Sequence, residues 1–139
     1  MVPRTRHPRL DPFCLRAHHL QAQIVQRRLN NYAALWQALE ELATQRGLPD
    51  RTVTALFTAA RGTRVRRTTY QHDATLTEGQ AVRDLRLLTH HNLLHPHGET
   101  KSRHYTPAPP LTHLAHLAHQ VTTNLPSITE PYRPFWDPR

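Results

Sequence analysis

Apolar residues recur at Phe13, Ala17, Leu20, Ile24 and Leu29, three to five positions apart, as on one face of a helix running to about Arg28. Asp11 and Pro12 suit its start, as N-cap and first-turn proline. Asn30 and Asn31 permit a break. A second periodic set, Tyr32, Leu35, Trp36, Leu39, Leu42 and Ala43, continues to Arg46 and stops at Gly47. Two long helices, or one kinked helix, are expected. Pro49 and Asp50 restart the chain, with Val53, Leu56, Phe57 and Ala60 forming one apolar face that Gly62 ends. A short basic stretch follows, with Val65 and Tyr70 as its buried residues. Thr77 then caps a helix whose inner stripe is Ala81, Leu85 and Leu88, and Asn92 terminates it beyond His90 and His91. Leu93 and Leu94 begin an extended segment, His97 to Lys101 supply a turn, and Ser102 to Thr106 return as a second strand.

The predicted fold class is mainly α: an N-terminal helical segment over 11–47, then a winged helix-turn-helix of three helices and a β-hairpin over 48–106. Residues 1–10, rich in proline and arginine, read as a disordered arm. Residues 107–139 read as a proline-rich tail with a short weak helix over 111–121. Its aromatics Tyr132, Phe135 and Trp136 suit either an anchor on another surface or a cover for the domain's own core.

At 139 residues the chain has room for one compact domain with appendages. Four glycines, Gly47, Gly62, Gly79 and Gly98, are never closer than fifteen residues, so no paired-glycine phosphate loop can be built. Net charge is +8, and every basic residue except Lys101 is arginine, a composition suited to polyanions. Residues 1–30 carry +5, 31–60 sum to −1, 61–106 carry +4 and 107–139 sum to zero, so two basic blocks flank a near-neutral segment. Cys14, the only cysteine, excludes an intrachain disulfide, fits a reducing compartment and reads as a small, buried apolar helix residue. With no secretory signal and no apolar run near the roughly 20 residues of a membrane span, a cytoplasmic protein without a membrane partner is expected.

The candidate chemistry lies on the Thr77–His90 helix and the hairpin. With Ala81, Leu85 and Leu88 inward, Glu78, Gly79, Gln80, Arg83, Arg86 and His90 face outward. Gln80 has the amide to pair with adenine, and Arg83 or Arg86 suits guanine or a phosphate. Lys101, Arg103 and His104 in the hairpin suit phosphate oxygens or a narrow minor groove. Arg61, Arg64, Arg66 and Arg67 lead into the preceding short helix, placed to cross a phosphate backbone. The candidate DNA-binding set is therefore Arg66, Arg67, Thr77, Gln80, Arg83, Arg86, His90, Lys101, Arg103 and His104, with double-stranded DNA as partner and no cofactor. Two plainer readings stand beside it: a solvated basic face, and an ion pair between Asp84 and Arg83 or another helix.

The run Thr77-Glu78-Gly79-Gln80-Ala81-Val82-Arg83-Asp84-Leu85-Arg86-Leu87-Leu88, with Asn92-Leu93-Leu94 and Gly98-Glu99 leading to Arg103-His104-Tyr105, resembles the C-terminal winged helix of Fic-family proteins. Upstream, Phe13-Cys14-Leu15 with His18 and Gln21-Ala22, the Trp36/Leu39 helix, Gly47-Leu48-Pro49 with Arg51-Thr52-Val53, and Val65-Arg66 with Thr69-Tyr70 are similar to the stretch preceding that module, so the resemblance covers about 11–111. Fic enzymes transfer a nucleotide moiety, usually AMP, to a protein hydroxyl with a His-Pro-Phe-x-x-Gly-Asn-Gly-Arg loop. Here His7-Pro8 is followed by Arg9 and no Gly-Asn-Gly occurs, so the resemblance implies a regulatory DNA-binding module without the enzyme. The alternative is a protein-interaction module, docking to a Fic catalytic subunit or another protein through 11–46, or a truncated remnant of an adenylyltransferase. Leu20, Ile24, Leu35 and Leu39 either form an exposed apolar face for such a partner or fold back on the winged helix.

Other chemistries lack parts. His113, His116 and His119 are three apart, each rotated about 60° from the last on a helix, with no acidic residue between Leu111 and Leu125, so no metal site is expected. Glu40 and Glu41 point to different sides of a helix, and Cys14 with His18 lacks an oxyanion hole.

Overall fold

The computed structural model describes residues 12–123, with side chains from Cys14 to Gln120. Asp11, the 1–10 arm and the aromatics Tyr132, Phe135 and Trp136 lie outside the described residues. The order is α1 (Pro12–Arg46), α2 (Thr52–Ala60), α3 (Arg67–Asp73), α4 (Glu78–His90), β1 (Leu94–His97), β2 (His104–Pro107) and α5 (Pro109–Thr123). This is the expected mainly helical fold with a hairpin wing.

The two expected N-terminal helices are one continuous α1 of 35 residues, without a break at Asn30 and Asn31. Asparagine costs a helix well under ~1 kcal/mol, and leucines and alanines on both sides outweigh it. Gly47, at φ 64°, closes the helix, and the Leu48 amide donates to the Ala43 carbonyl at 2.8 Å. Leu35, Leu39 and Ala43 enter the common core with Val53, Leu56, Leu85, Leu88, Leu93 and Leu94. The lower half of α1 therefore folds back on the winged helix. Leu20 is half-buried, Ile24 is exposed, and Cys14, expected to be buried, is exposed on the same upper half.

The expected weak helix over 111–121 is longer. α5 begins at Pro109, packs along α1 and contributes Leu111 and Ala118 to the core. Pro109 and Pro110 occupy the first turn, where a missing amide hydrogen costs nothing.

β1 and β2 pair antiparallel, Leu94 opposite Pro107 and His97 opposite His104. Val65, between α2 and α3, adds a single bridge to the wing: its amide donates to the Tyr105 carbonyl at 3.0 Å and its carbonyl accepts from the Tyr105 amide at 2.8 Å. The bridge ties the wing to the approach of α3. Asn92 turns the chain out of α4 at φ 58°, as its small polar side chain allows.

Candidate nucleic-acid interface

α4 is anchored at its start by a reciprocal cap. The Gln80 amide donates to Thr77 Oγ1 at 3.3 Å, and the Thr77 amide donates to Gln80 Oε1 at 3.0 Å. The oxygen of the Gln80 carboxamide, expected to read adenine, is thus engaged in the cap. Thr77 and Gln80 line a hollow between α3 and α4 with Thr68, Gln71 and His72.

Beneath the helix lies an ion pair that fixes its rotation. Asp84, buried, accepts from Arg51 Nε at 2.7 Å and from Arg51 Nη2 at 2.9 Å. The Tyr70 hydroxyl donates to Asp84 Oδ2 at 3.0 Å and lies 3.3 Å from the Arg51 carbonyl. Three segments, the approach to α2, the body of α3 and the middle of α4, meet on one carboxylate. Hydrogen bonding to Asp84 raises the Arg51 guanidinium above its ordinary value. Burial, then the hydrogen bond to Asp84, raises the Tyr70 phenol. Asp84 therefore pairs with Arg51 rather than with its neighbour Arg83, whose Nε donates to the Gly79 carbonyl at 3.2 Å. Successive helical residues point about 100° apart, so one residue of the Arg-Asp dipeptide faces in and the other out.

With Ala81, Asp84, Leu85 and Leu88 inward, Gly79, Arg83, Arg86 and His90 form the opposite, exposed line of α4. Arg86 borders a cleft of about 530 Å³ that α3 and the wing complete, lined also by Arg66, Arg67, Lys101, Arg103 and Thr100. Five cations converge there. Arg67 is paired with Glu78, while Arg66, Arg86, Lys101 and Arg103 make no ion pair among the described residues. Of the other carboxylates nearby, Asp84 is sealed beneath the helix against Arg51, and Glu99, exposed in the wing turn before Thr100 and Lys101, makes no ion pair among the described residues.

Of the expected residues, the cleft brings together Arg66, Arg67, Arg86, Lys101 and Arg103. Arg83 and His90 stand on the outer line of α4, and the His90 ring meets His91 edge-on at 6.0 Å. His104 stacks on His97 across the hairpin at 5.4 Å and does not line the cleft. Arg61, grouped with the basic lead-in to α3, instead lies over the Tyr32 ring at 4.7 Å and the Phe57 ring at 5.5 Å, against α1. Sequence reasoning missed Thr68 and Thr100, hydroxyls in the cleft wall, and Arg51, whose partner is 33 positions away.

Among the described residues, no helix is long and apolar enough to cross a membrane. No family model, curated protein or solved structure matches the chain.

Proposed function

We propose that this chain binds double-stranded DNA, with α4 entering the major groove and the wing lying on the adjoining backbone, and that its role is regulatory. The observation that carries this reading is the continuity of positive charge from Arg83 and Arg86 on the outer line of α4 to Arg66, Lys101 and Arg103 around the cleft, all without ion pairs among the described residues. A helix rotationally pinned from beneath suits base reading, because its side chains keep one register on the duplex. Within that surface, Arg83, at the outermost position, is assigned to base edges or phosphate. The cations of the cleft are assigned to backbone oxygens.

The resemblance to the C-terminal module of Fic-family proteins supports the same reading. Several residues that carry it have structural roles here: Asp84 in the ion pair, Leu85 in the core, Tyr105 in the bridge to Val65. The resemblance thus speaks for the architecture, and the proposal places the chain as such a module without the catalytic loop.

The test is fluorescence titration of a DNA duplex at two salt concentrations with the wild-type chain and the Arg83→Ala/Arg86→Ala variant. Each lost phosphate contact is expected to reduce the slope of log K against log salt by up to about 0.9, with weaker binding throughout. Superimposable curves for the two proteins would refute the assignment.

A further inference from the structure

The cleft between α3, α4 and the wing is concave as well as charged. It encloses about 530 Å³, within the roughly 300–1,000 Å³ of small-molecule sites, and Arg66, Arg67, Arg86, Lys101 and Arg103 all line it. The rest of its wall is mixed. Thr68 and Thr100 bring hydroxyls, while Val82 and Tyr105 bring apolar surface.

Charge density sets the class of ligand. Arg67 is held by Glu78, which leaves four cations without an ion pair among the described residues. Were the space a cube, its edge would be about 8 Å. A duplex strand, with one phosphate per roughly 3.4 Å of axis, sets about two phosphates in such a span. Three phosphates linked through shared oxygens carry about four negative charges near neutral pH over a comparable length. Four charges then meet four.

The wing turn gives a separate sign. Thr100 has φ 48°, in the left-handed region that a β-branched residue rarely adopts. Strain of this kind gathers at ligand clamps, and here it falls in the cleft wall directly before Lys101. The turn is closed by the Ser102 amide and hydroxyl, which donate to the Glu99 carbonyl at 3.1 and 2.8 Å, so its shape is set before any ligand arrives.

We propose that this cleft is a receptor site for a small molecule bearing linked phosphates, held by Arg66, Arg86, Lys101 and Arg103, and that its occupation displaces DNA. The three arginines offer planar forks to pairs of phosphate oxygens, and Lys101 adds a point charge. This route to phosphate uses side-chain cations and needs no glycine loop. Only the displacement rests on the reading of α4 and the wing as a DNA surface.

The direct test is isothermal titration calorimetry of the full chain without DNA, with a chelator to keep divalent cations off the phosphates. Sodium tripolyphosphate is expected to saturate one site per chain with a Kd of about 100 µM or tighter. Inorganic phosphate, which meets fewer of the cations, is expected to bind at least tenfold more weakly. Arg86→Ala/Lys101→Ala is expected to weaken tripolyphosphate at least tenfold. Arg28→Ala/Arg46→Ala, which removes the same charge outside the cleft, is expected to change it by less than about threefold. All four side chains are exposed, so the circular dichroism of both variants should match wild type. ATP that binds as tightly as tripolyphosphate, or more tightly, assigns the ligand to nucleotides, and weaker ATP assigns it to an inorganic chain. A duplex titrated at matched ionic strength is expected to bind at least tenfold more weakly when tripolyphosphate saturates the chain.

No saturable heat with tripolyphosphate, equal affinity for inorganic phosphate, or equal losses in the two variants overturns the site. Unchanged duplex affinity in the presence of the ligand overturns the displacement. A chain that takes up tripolyphosphate but binds no duplex refutes the DNA reading and leaves the site standing.

Discussion

Removing the two partners of the Arg51–Asp84 pair one at a time should have unequal costs, and the order follows from their exposure. The Asp84 side chain is 3 % exposed and that of Arg51 40 % exposed. Arg51→Ala leaves a carboxylate sealed beneath α4 with only the Tyr70 hydroxyl as a side-chain donor, and an uncompensated buried charge costs about 3–5 kcal/mol. Asp84→Ala leaves a guanidinium that turns into water, so the lost attraction is discounted for solvent screening. What remains is the Tyr70 hydroxyl, which loses its acceptor and falls back on the Arg51 carbonyl, 3.3 Å away, together with a small void. About 2 kcal/mol covers these losses. For a chain of this size each kcal/mol lowers Tm by roughly 3–6 °C, so Arg51→Ala should melt roughly 9–30 °C below wild type and Asp84→Ala between the two. Thermal and urea unfolding followed by far-ultraviolet circular dichroism give both values. The double variant should lose less than the sum of the singles, because each removes the same interaction. Arg83→Ala is the control: its side chain is exposed on the outer line, and a change within ~0.5 kcal/mol is expected. Asp84→Ala costing more than Arg51→Ala, or strictly additive losses, would refute the reasoning.

Two further predictions concern the same frame and the wing. The Tyr70 phenol is raised by burial and by its bond to Asp84, so the folded state holds a proton that the unfolded chain releases near pH 10. That contribution to stability is complete below the unfolded value and is lost as pH rises through the folded one, so unfolding titrations should steepen above about pH 10, and Tyr70→Phe should remove the highest-pH component of phenolate absorbance. In the hairpin, Gly98 sits at φ 74°, and a Cβ there would lie 2.9 Å from Ser102 Oγ and 3.0 Å from the Ser102 carbonyl oxygen. Gly98→Ala should therefore distort the wing at a cost of about 1–2 kcal/mol. It should weaken duplex binding while the α4 core keeps its amide-exchange protection, and a variant that binds and melts like wild type would contradict this.

The parts of the fold legible in advance were those whose signal is local. Ala81, Leu85 and Leu88 mark the buried face of α4, Thr77 and Gln80 its cap, Asn92 its end, and Leu93 and Leu94 the inward start of the hairpin. The outward positions of Arg83, Arg86 and His90 follow from the same period. Less legible was anything set by competition between weak preferences. Asn30 and Asn31 suggested a break that the surrounding helix overrides. The prolines around 107–110 suggested a tail, although Pro109 and Pro110 stand where a helix accepts them.

Chain order and residue chemistry thus dictated the succession of helices and hairpin, the excess of arginine around them and the lack of a phosphate loop, since each depends on neighbours a few positions apart. Three-dimensional packing alone chose which arginine meets Asp84, sent Arg61 to the aromatic rings of Tyr32 and Phe57, and gathered Arg66, Arg86, Lys101 and Arg103 around one cleft. Those choices join residues tens of positions apart. A periodic pattern can say that a side chain faces outward, but only the packed core sets what stands opposite it.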